Sequence, residues 1–190
     1  GILVPVSACL MQRFTTRQLF IASLVFSIAG TIISGIAPIF SILFIGRVVQ
    51  AIGAAIIIPL MMNVMLLIYP IHKRGAAMGK IGLVIVFAPA VGPTIAGVIL
   101  DRLSWHWIFW VALPFFFISL FVGLKFIQNV NEVKKVKFDI VSFIFSSIGF
   151  GGVVYGFSIS GELGTFATTE VLISIIVGAL ALIIFVIRQL

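Results

Sequence analysis

Charge is scarce in this chain, and acid is the scarcer half of it. Asp and Glu together number five against twelve Lys and Arg, and charged residues make up 9% of the sequence. An ordinary globular domain carries about a quarter charged residues, so a soluble core with a solvated surface is excluded from the start. The five carboxylates, Asp101, Glu132, Asp139, Glu162 and Glu170, all fall at the ends of apolar runs or between them, and none is placed as a proton carrier within the membrane. The single cysteine, Cys9, excludes an internal disulfide and reads as a small apolar packer. His106 has no second histidine or carboxylate at ligand spacing, so no metal site is expected. No span carries a mid-span lysine for a retinal Schiff base, and no dyad or metal cluster lies inside the spans for an intramembrane enzyme. Neither an enzymatic activity nor a cofactor is expected. The chain opens at Gly1 inside an apolar run, without the charged n-region or cleavage site of a signal peptide, and reads as an internal piece of a longer protein.

Apolar sequence is abundant instead. Hydrophobic residues make up 62% of the chain, and the mean hydropathy is +1.35. Runs long enough to cross a hydrocarbon core of roughly 30 Å predict an all-α membrane protein with six complete spans and one partial. The partial span is residues 1–11; the complete ones are Leu19–Ala37, Ile39–Ile68, Gly79–Leu100, Trp105–Gln128, Phe138–Ser158 and Thr168–Ile187. If these alternate, ten of the twelve basic residues share one face: Arg13 and Arg17, then Lys73, Arg74 and Lys80, then Lys125, Lys134, Lys135 and Lys137, and Arg188. The positive-inside rule makes that face cytoplasmic. Topology and attraction to phospholipid therefore account for the net charge of +7 without nucleic acid. Trp105, Trp107 and Trp110 cluster at the outer end of one span, as headgroup anchors do, and Phe115–Phe117 suit a lipid-facing peripheral span.

Two spans carry more than hydropathy. In Gly79–Leu100, Ala88, Gly92 and Ala96 recur every four residues, with Pro89, Pro93 and Gly97 as a second stripe beside them. Such a bare face lets another backbone approach closely, and the prolines need neighbours to satisfy the carbonyls they free. A bent helix, closely packed, is expected here. In Ile39–Ile68, Arg47 lies eight residues in, with Gln50, Ala51 and Ala54 on its face. A guanidinium at that depth costs at least about 2.5 kcal/mol on insertion scales, so it pairs with something, either structurally or along a transport path.

The two patterns then acquire a family. Ala88-x-x-x-Gly92-Pro93-x-x-Ala96-Gly97 resembles the antiporter signature on the fifth span of the major facilitator superfamily, with alanine for glycine at Ala88 and Ala96. Leu43-x-x-x-Arg47-x-x-Gln50-x-x-Gly53-Ala54-Ala55 is similar to the fourth-span signature of its proton-coupled members. Leu10-x-x-Arg13-Phe14-x-x-Arg17 resembles the loop signature between spans two and three. Gln12 there replaces the usual aspartate, Thr15 the glycine and Thr16 the arginine. The link after Gln128 is short and two further apolar spans follow, which resembles the fourteen-span drug:proton antiporters of the EmrB and QacA type; Trp105-x-Trp107-Ile108-Phe109 also looks typical of that branch.

The resemblance implies a major facilitator helical bundle. Residues 1–128 would be the N-terminal six-helix half without its first span and part of its second; residues 129–137 would be a cytoplasmic link. Residues 138–190 would be two helices inserted between the halves, the C-terminal half being absent. It implies a multidrug or toxic-compound exporter of the bacterial cytoplasmic membrane, exchanging amphipathic substrates for protons. Its partners would be those solutes, protons, membrane lipid and the rest of its own chain. Arg47 and Gln50 would serve proton coupling, residues 88–97 the antiporter helix, and Arg13 and Arg17 the cytoplasmic gate loop. A metabolite exporter or importer of the same fold remains open, as does a polytopic sensor or receptor.

Overall fold

The computed structural model describes residues 10–130, 140–166 and 168–189, and these are helical apart from short turns. They fall into two compact units, divided near residue 134. The first contains α1 (Thr16–Gly35), α2 (Phe40–Ile68), α3 (Ile71–Arg102) and α4 (Trp107–Phe126); the second contains α5 (Ile140–Leu163) and α6 (Thr169–Gln189). All six are long and apolar enough to cross a membrane, so the chain is an all-α, multi-pass membrane protein. Most of the partial span at residues 1–11, Cys9, the link from residue 131, and the residues expected to begin the next span at Phe138 and Asp139 lie outside the described residues.

Local chemistry sets the helix ends. Thr15 opens α1 with a capping box: its hydroxyl accepts from the Gln18 backbone N–H at 3.3 Å, and its own N–H donates to Gln18 Oε1 at 3.1 Å. The threonine that departs from the loop signature is thus the residue that starts the helix. Tyr69 and Pro70 divide α2 from α3, with extended backbone at both and Pro70 as the N-cap of α3. Arg74 Nε donates to the Tyr69 carbonyl at 3.1 Å, tying that turn together. Gly164, with φ of 66°, follows α5 in the left-handed conformation that ends a helix at no steric cost.

Two boundaries differ most from the hydropathy reading. The third helix begins at Ile71, not Gly79, so Lys73, Arg74 and Lys80 stand on its opening turns rather than in a loop. Its 32 residues extend to about 48 Å at 1.5 Å each, more than a hydrocarbon core requires, and the basic turns reach beyond it. α5 likewise continues past Ser158 to Leu163, so Ser160 and Glu162 are helical and only residues 164–168 connect to α6. Backbone hydrogen bonding continues in headgroup and water, whereas hydropathy reports only the apolar part of a helix. Pro59 in α2 and Pro89 and Pro93 in α3 are accommodated inside continuous helices.

Within the first unit α1 is the centre, packing along both α2 and α4, while α3 touches α2 and α4 only lightly. Leu19, Ile56 and Leu60 form a buried cluster at one end of the α1–α2 contact, with Phe20, Ile52 and Val64 packed on it. Toward the other end that contact is built from small residues. A side chain on Gly30 would strike the backbone of Gln50 and Gly46, one on Gly46 would meet Ser34, and one on Gly53 would meet Ser23 and Ser27. In the second unit Gly149, Gly152 and Gly156 of α5 bring its backbone against Ser174, Gly178 and the side chains of Ile175 and Leu182 on α6.

Among the described residues the close glycine contacts lie between α1 and α2, between α1 and α4, and between α5 and α6. Among the described residues, added β-carbons at Gly92 and Gly97 would meet nothing within 4 Å. The outer surface of the unit is rich in exposed apolar side chains, among them Leu83, Val86, Phe115, Phe117 and Phe121. Soluble monomers rarely display such continuous apolar area, and here it is the surface that a lipid solvent or further helices would cover.

Candidate functional site

Arg47 lies roughly 12 Å along the helix from Ile39 at 1.5 Å per residue, and its guanidinium is held from two directions. Nη1 donates to Gln50 Oε1 at 3.1 Å. The guanidinium carbon also sits 4.7 Å from the centroid of the Phe109 ring on α4, a cation–π distance. Phe109 is itself buried and meets the Trp105 ring edge-on, at 6.1 Å between centroids. Arg47 is exposed within the described residues, so the seat fixes its direction without enclosing it. A positive group held this way offers its remaining donors to a carboxylate or a polar substrate.

Gln50 connects Arg47 to the polar face of α1. Its Nε2 donates to Thr31 Oγ1 at 3.0 Å, and Thr31 Oγ1 donates to the Ser27 carbonyl at 2.6 Å. Ser27 Oγ donates in turn to the Ser23 carbonyl at 2.9 Å, and Ser23 Oγ to the Phe20 carbonyl at 2.8 Å. Ser23, Ser27, Thr31 and Ser34 are all buried. The hydroxyls of Ser23, Ser27 and Thr31 satisfy themselves on their own helix, which lets a polar ladder lie at a helix contact in an apolar medium, whereas Ser34 Oγ has no hydrogen-bond partner among the described residues.

The roles of four of these residues escaped the sequence reading. Phe109 stood in the Trp105-x-Trp107-Ile108-Phe109 motif without a role, and Thr31 and the glycine contacts at Gly30 and Gly46 were legible only as a weak pattern: Ser23, Ser27, Gly30, Thr31 and Ser34 recur at helical spacing on α1. Opposite them Gly46, Gln50 and Gly53 recur at offsets of four and three on α2. Neither stripe says which helix it faces.

The structure gives Arg17 a definite task. Its guanidinium donates from Nη2 to the Leu124 carbonyl in the last turn of α4, at 2.7 Å, and its backbone N–H donates to Asn129 Oδ1 at 3.2 Å. A cation at a helix C-terminus satisfies an orphan carbonyl and complements the helix dipole. Beside it Phe20 fills the space over Gly123. Arg13 is exposed. Of the antiporter-helix residues, Ala88, Pro89, Gly92, Pro93 and Gly97 are exposed and Ala96 is half-buried; no described contact brings them to Arg47.

Among the described residues, cavities flank α1 at both of its ends. One of about 510 Å³ lies at its basic end, with a largely apolar lining that includes Phe20, Leu60, Met61, Met65 and Phe126. The other, also about 510 Å³, lies at the opposite end between Gly35, Ser104, His106, Trp107 and Trp110. There His106 stacks on Trp105 at 3.7 Å between centroids and donates from Nε2 to the Ala37 carbonyl at 3.0 Å. That fastens the α3–α4 turn to the end of α1.

Comparison with known proteins agrees with this helical architecture. A profile of the Major Facilitator Superfamily matches residues 1–190. The lincomycin resistance protein LmrB of Listeria monocytogenes is 61% identical over 190 residues, which are 100% of this chain and 40% of that protein. LmrB of Bacillus subtilis is 57% identical over 191 residues, again 100% of this chain and 40% of the relative. The multidrug export protein EmrB of Haemophilus influenzae is 30% identical over 191 residues, covering 100% and 38% respectively. The chain thus spans about 40% of the length of these curated relatives.

Proposed function

We propose that this chain, which belongs to the major facilitator superfamily, is part of a proton-coupled exporter of amphipathic small molecules in the bacterial cell membrane. The observation that carries the reading is the seat of Arg47: a fixed positive charge well inside a membrane helix, aimed by Gln50 and by the Phe109 ring. Such residues are expensive in lipid and mark transport paths. Relatives named for lincomycin resistance and multidrug export support the export direction and make lincomycin the first compound to test. No enzymatic step and no cofactor is assigned.

Facilitators alternate access by rocking two six-helix halves about a site near the midplane. In this reading Arg47 stabilises the ionised form of a carboxylate that approaches it, lowering that group's proton affinity until substrate or a conformational change separates the two. Proton release and drug binding then compete for one polar pocket. Gly92 and Gly97 of α3 would form a close contact in the complete protein, and Arg17 with Arg13 would set the cytoplasmic end of the bundle.

The test is uptake of lincomycin into vesicles that hold the complete protein inside-out and acid within. Arg47→Ala should abolish pH-driven uptake at equal amounts of folded protein, and Arg47→Lys should restore it at best partly, because an ammonium lacks the planar fork. Wild-type coupling in Arg47→Ala would end the reading.

A further inference from the structure

We infer that Thr31 is a positioning residue for Arg47, acting through the amide of Gln50. The inference rests on the reading of Arg47 as a coupling residue and adds to it a group on another helix.

The argument is one of donors and acceptors. Thr31 has a single hydroxyl proton, and its 2.6 Å bond to the Ser27 carbonyl commits it. Toward Gln50, Thr31 Oγ1 can therefore only accept, so the Gln50 amide must present Nε2 to it, as the 3.0 Å contact shows. The other end of the amide, Oε1, is then left facing Arg47, which possesses donors only. Were the amide reversed, its N–H groups would face the guanidinium and its oxygen would face a hydroxyl with no proton to give. Both contacts would be lost together. Thr31 thus decides which end of Gln50 Arg47 meets.

Burial makes the switch firm. Thr31 is fully buried, with relative exposure of 0%, so water does not replace the acceptor it supplies. Gly30, its neighbour, holds the α2 backbone at Gln50 against α1, which fixes the distance across which the amide reaches. Phe109 supplies the second wall of the seat but has no directional bond with which to choose the amide's orientation. The groups around the chain are thus Ser27 on α1, Arg47 on α2 and Phe109 on α4.

The experiment uses the complete protein in vesicles, with two readouts: uphill lincomycin transport driven by an imposed pH gradient, and lincomycin counterflow, which needs the site but no gradient. Thr31→Val keeps the β-branched shape and removes the hydroxyl. It should lower gradient-driven transport by roughly three- to tenfold while counterflow and the amount of folded protein stay near wild type. Thr31→Ser, which retains the hydroxyl, should restore it. Gln50→Leu should give a similar loss, and adding Thr31→Val to it should cost nothing more, because the two residues act as one chain. Thr31→Ala gives the same test if Thr31→Val does not reach the membrane. Wild-type gradient-driven transport in Thr31→Val and Thr31→Ala, with Arg47→Ala inactive, would overturn the positioning role and leave the reading of Arg47 standing. Equal losses of folded protein, counterflow and driven transport in both hydroxyl-free variants would assign Thr31 to packing alone and also overturn it. Retained coupling in Arg47→Ala would overturn both proposals.

Discussion

Within the first unit, small-residue stripes lie on α1, α2 and α3, and among the described residues those on α1 and α2 are occupied while that on α3 is not. On α1 and α2 the stripe of Gly30, Gly46 and Gly53 is closed against serines and backbone of the facing helix. On α3 the stripe of Ala88, Gly92, Ala96 and Gly97 has the more regular spacing, yet Gly92 and Gly97 face open space. The contrast shows what small residues do in a membrane helix. They permit close approach but do not cause it, because lipid tails are as apolar as the side chains they replace. What closes the α1–α2 contact is backbone packing together with a hydroxyl ladder that needs no outside partner and one cross-helix bond, Gln50 to Thr31.

The contrast can be broken most forcefully at Gly30. Gly30→Leu should drive α1 from α2 and abolish recovery of folded protein, and Gly30→Ala should already destabilise by about 1–3 kcal/mol, since its added carbon meets backbone with no room to yield. Thermal unfolding in detergent, followed by size-exclusion fluorescence, reads both. A Gly30→Ala protein as stable as wild type would mean that the two helices separate more easily than their packing indicates.

A smaller effect is expected at the basic end of α1. Arg17→Ala removes the charged donor to the Leu124 carbonyl, and because Arg17 is exposed the loss should be no more than about 1 kcal/mol. Arg17→Lys should recover part of it. The same unfolding assay checks this, and an undiminished melting temperature in Arg17→Ala would reduce the residue to topology alone.

The smallest effect on folding belongs to α3, and there the comparison is sharpened. Gly92→Leu and Gly97→Leu should leave the unfolding of the first unit unchanged, since a β-carbon at either position meets nothing within 4 Å among the described residues. In the complete protein the same substitutions should block export by overfilling a close contact, while Ile99→Leu should be silent. Transport equal to wild type in all three would mean that the α3 stripe faces lipid.

How much of this was legible beforehand depends on which forces act within one helix and which act between helices. Six spans followed from hydropathy, because a bilayer demands about twenty apolar residues from each crossing helix whatever lies beside it. The singular character of Arg47 followed as well, since a charge within an apolar run is costly in any arrangement. The local helix signals were also present in the chain: Thr15 with Gln18, Tyr69 with Pro70, and Gly164.

Only the tertiary structure decided the pairings. It set the glycines of α2 against the serines of α1, placed the Phe109 ring beneath Arg47, and turned Arg17 from a loop charge into a cap on α4. The sequence leaves such choices open because small-residue stripes on α1, α2 and α3 are equally compatible with close contact. A one-dimensional pattern specifies a face, but the partner of that face is fixed by which helix comes near enough to pack against it, as α2 does here with Gln50 bonded to Thr31.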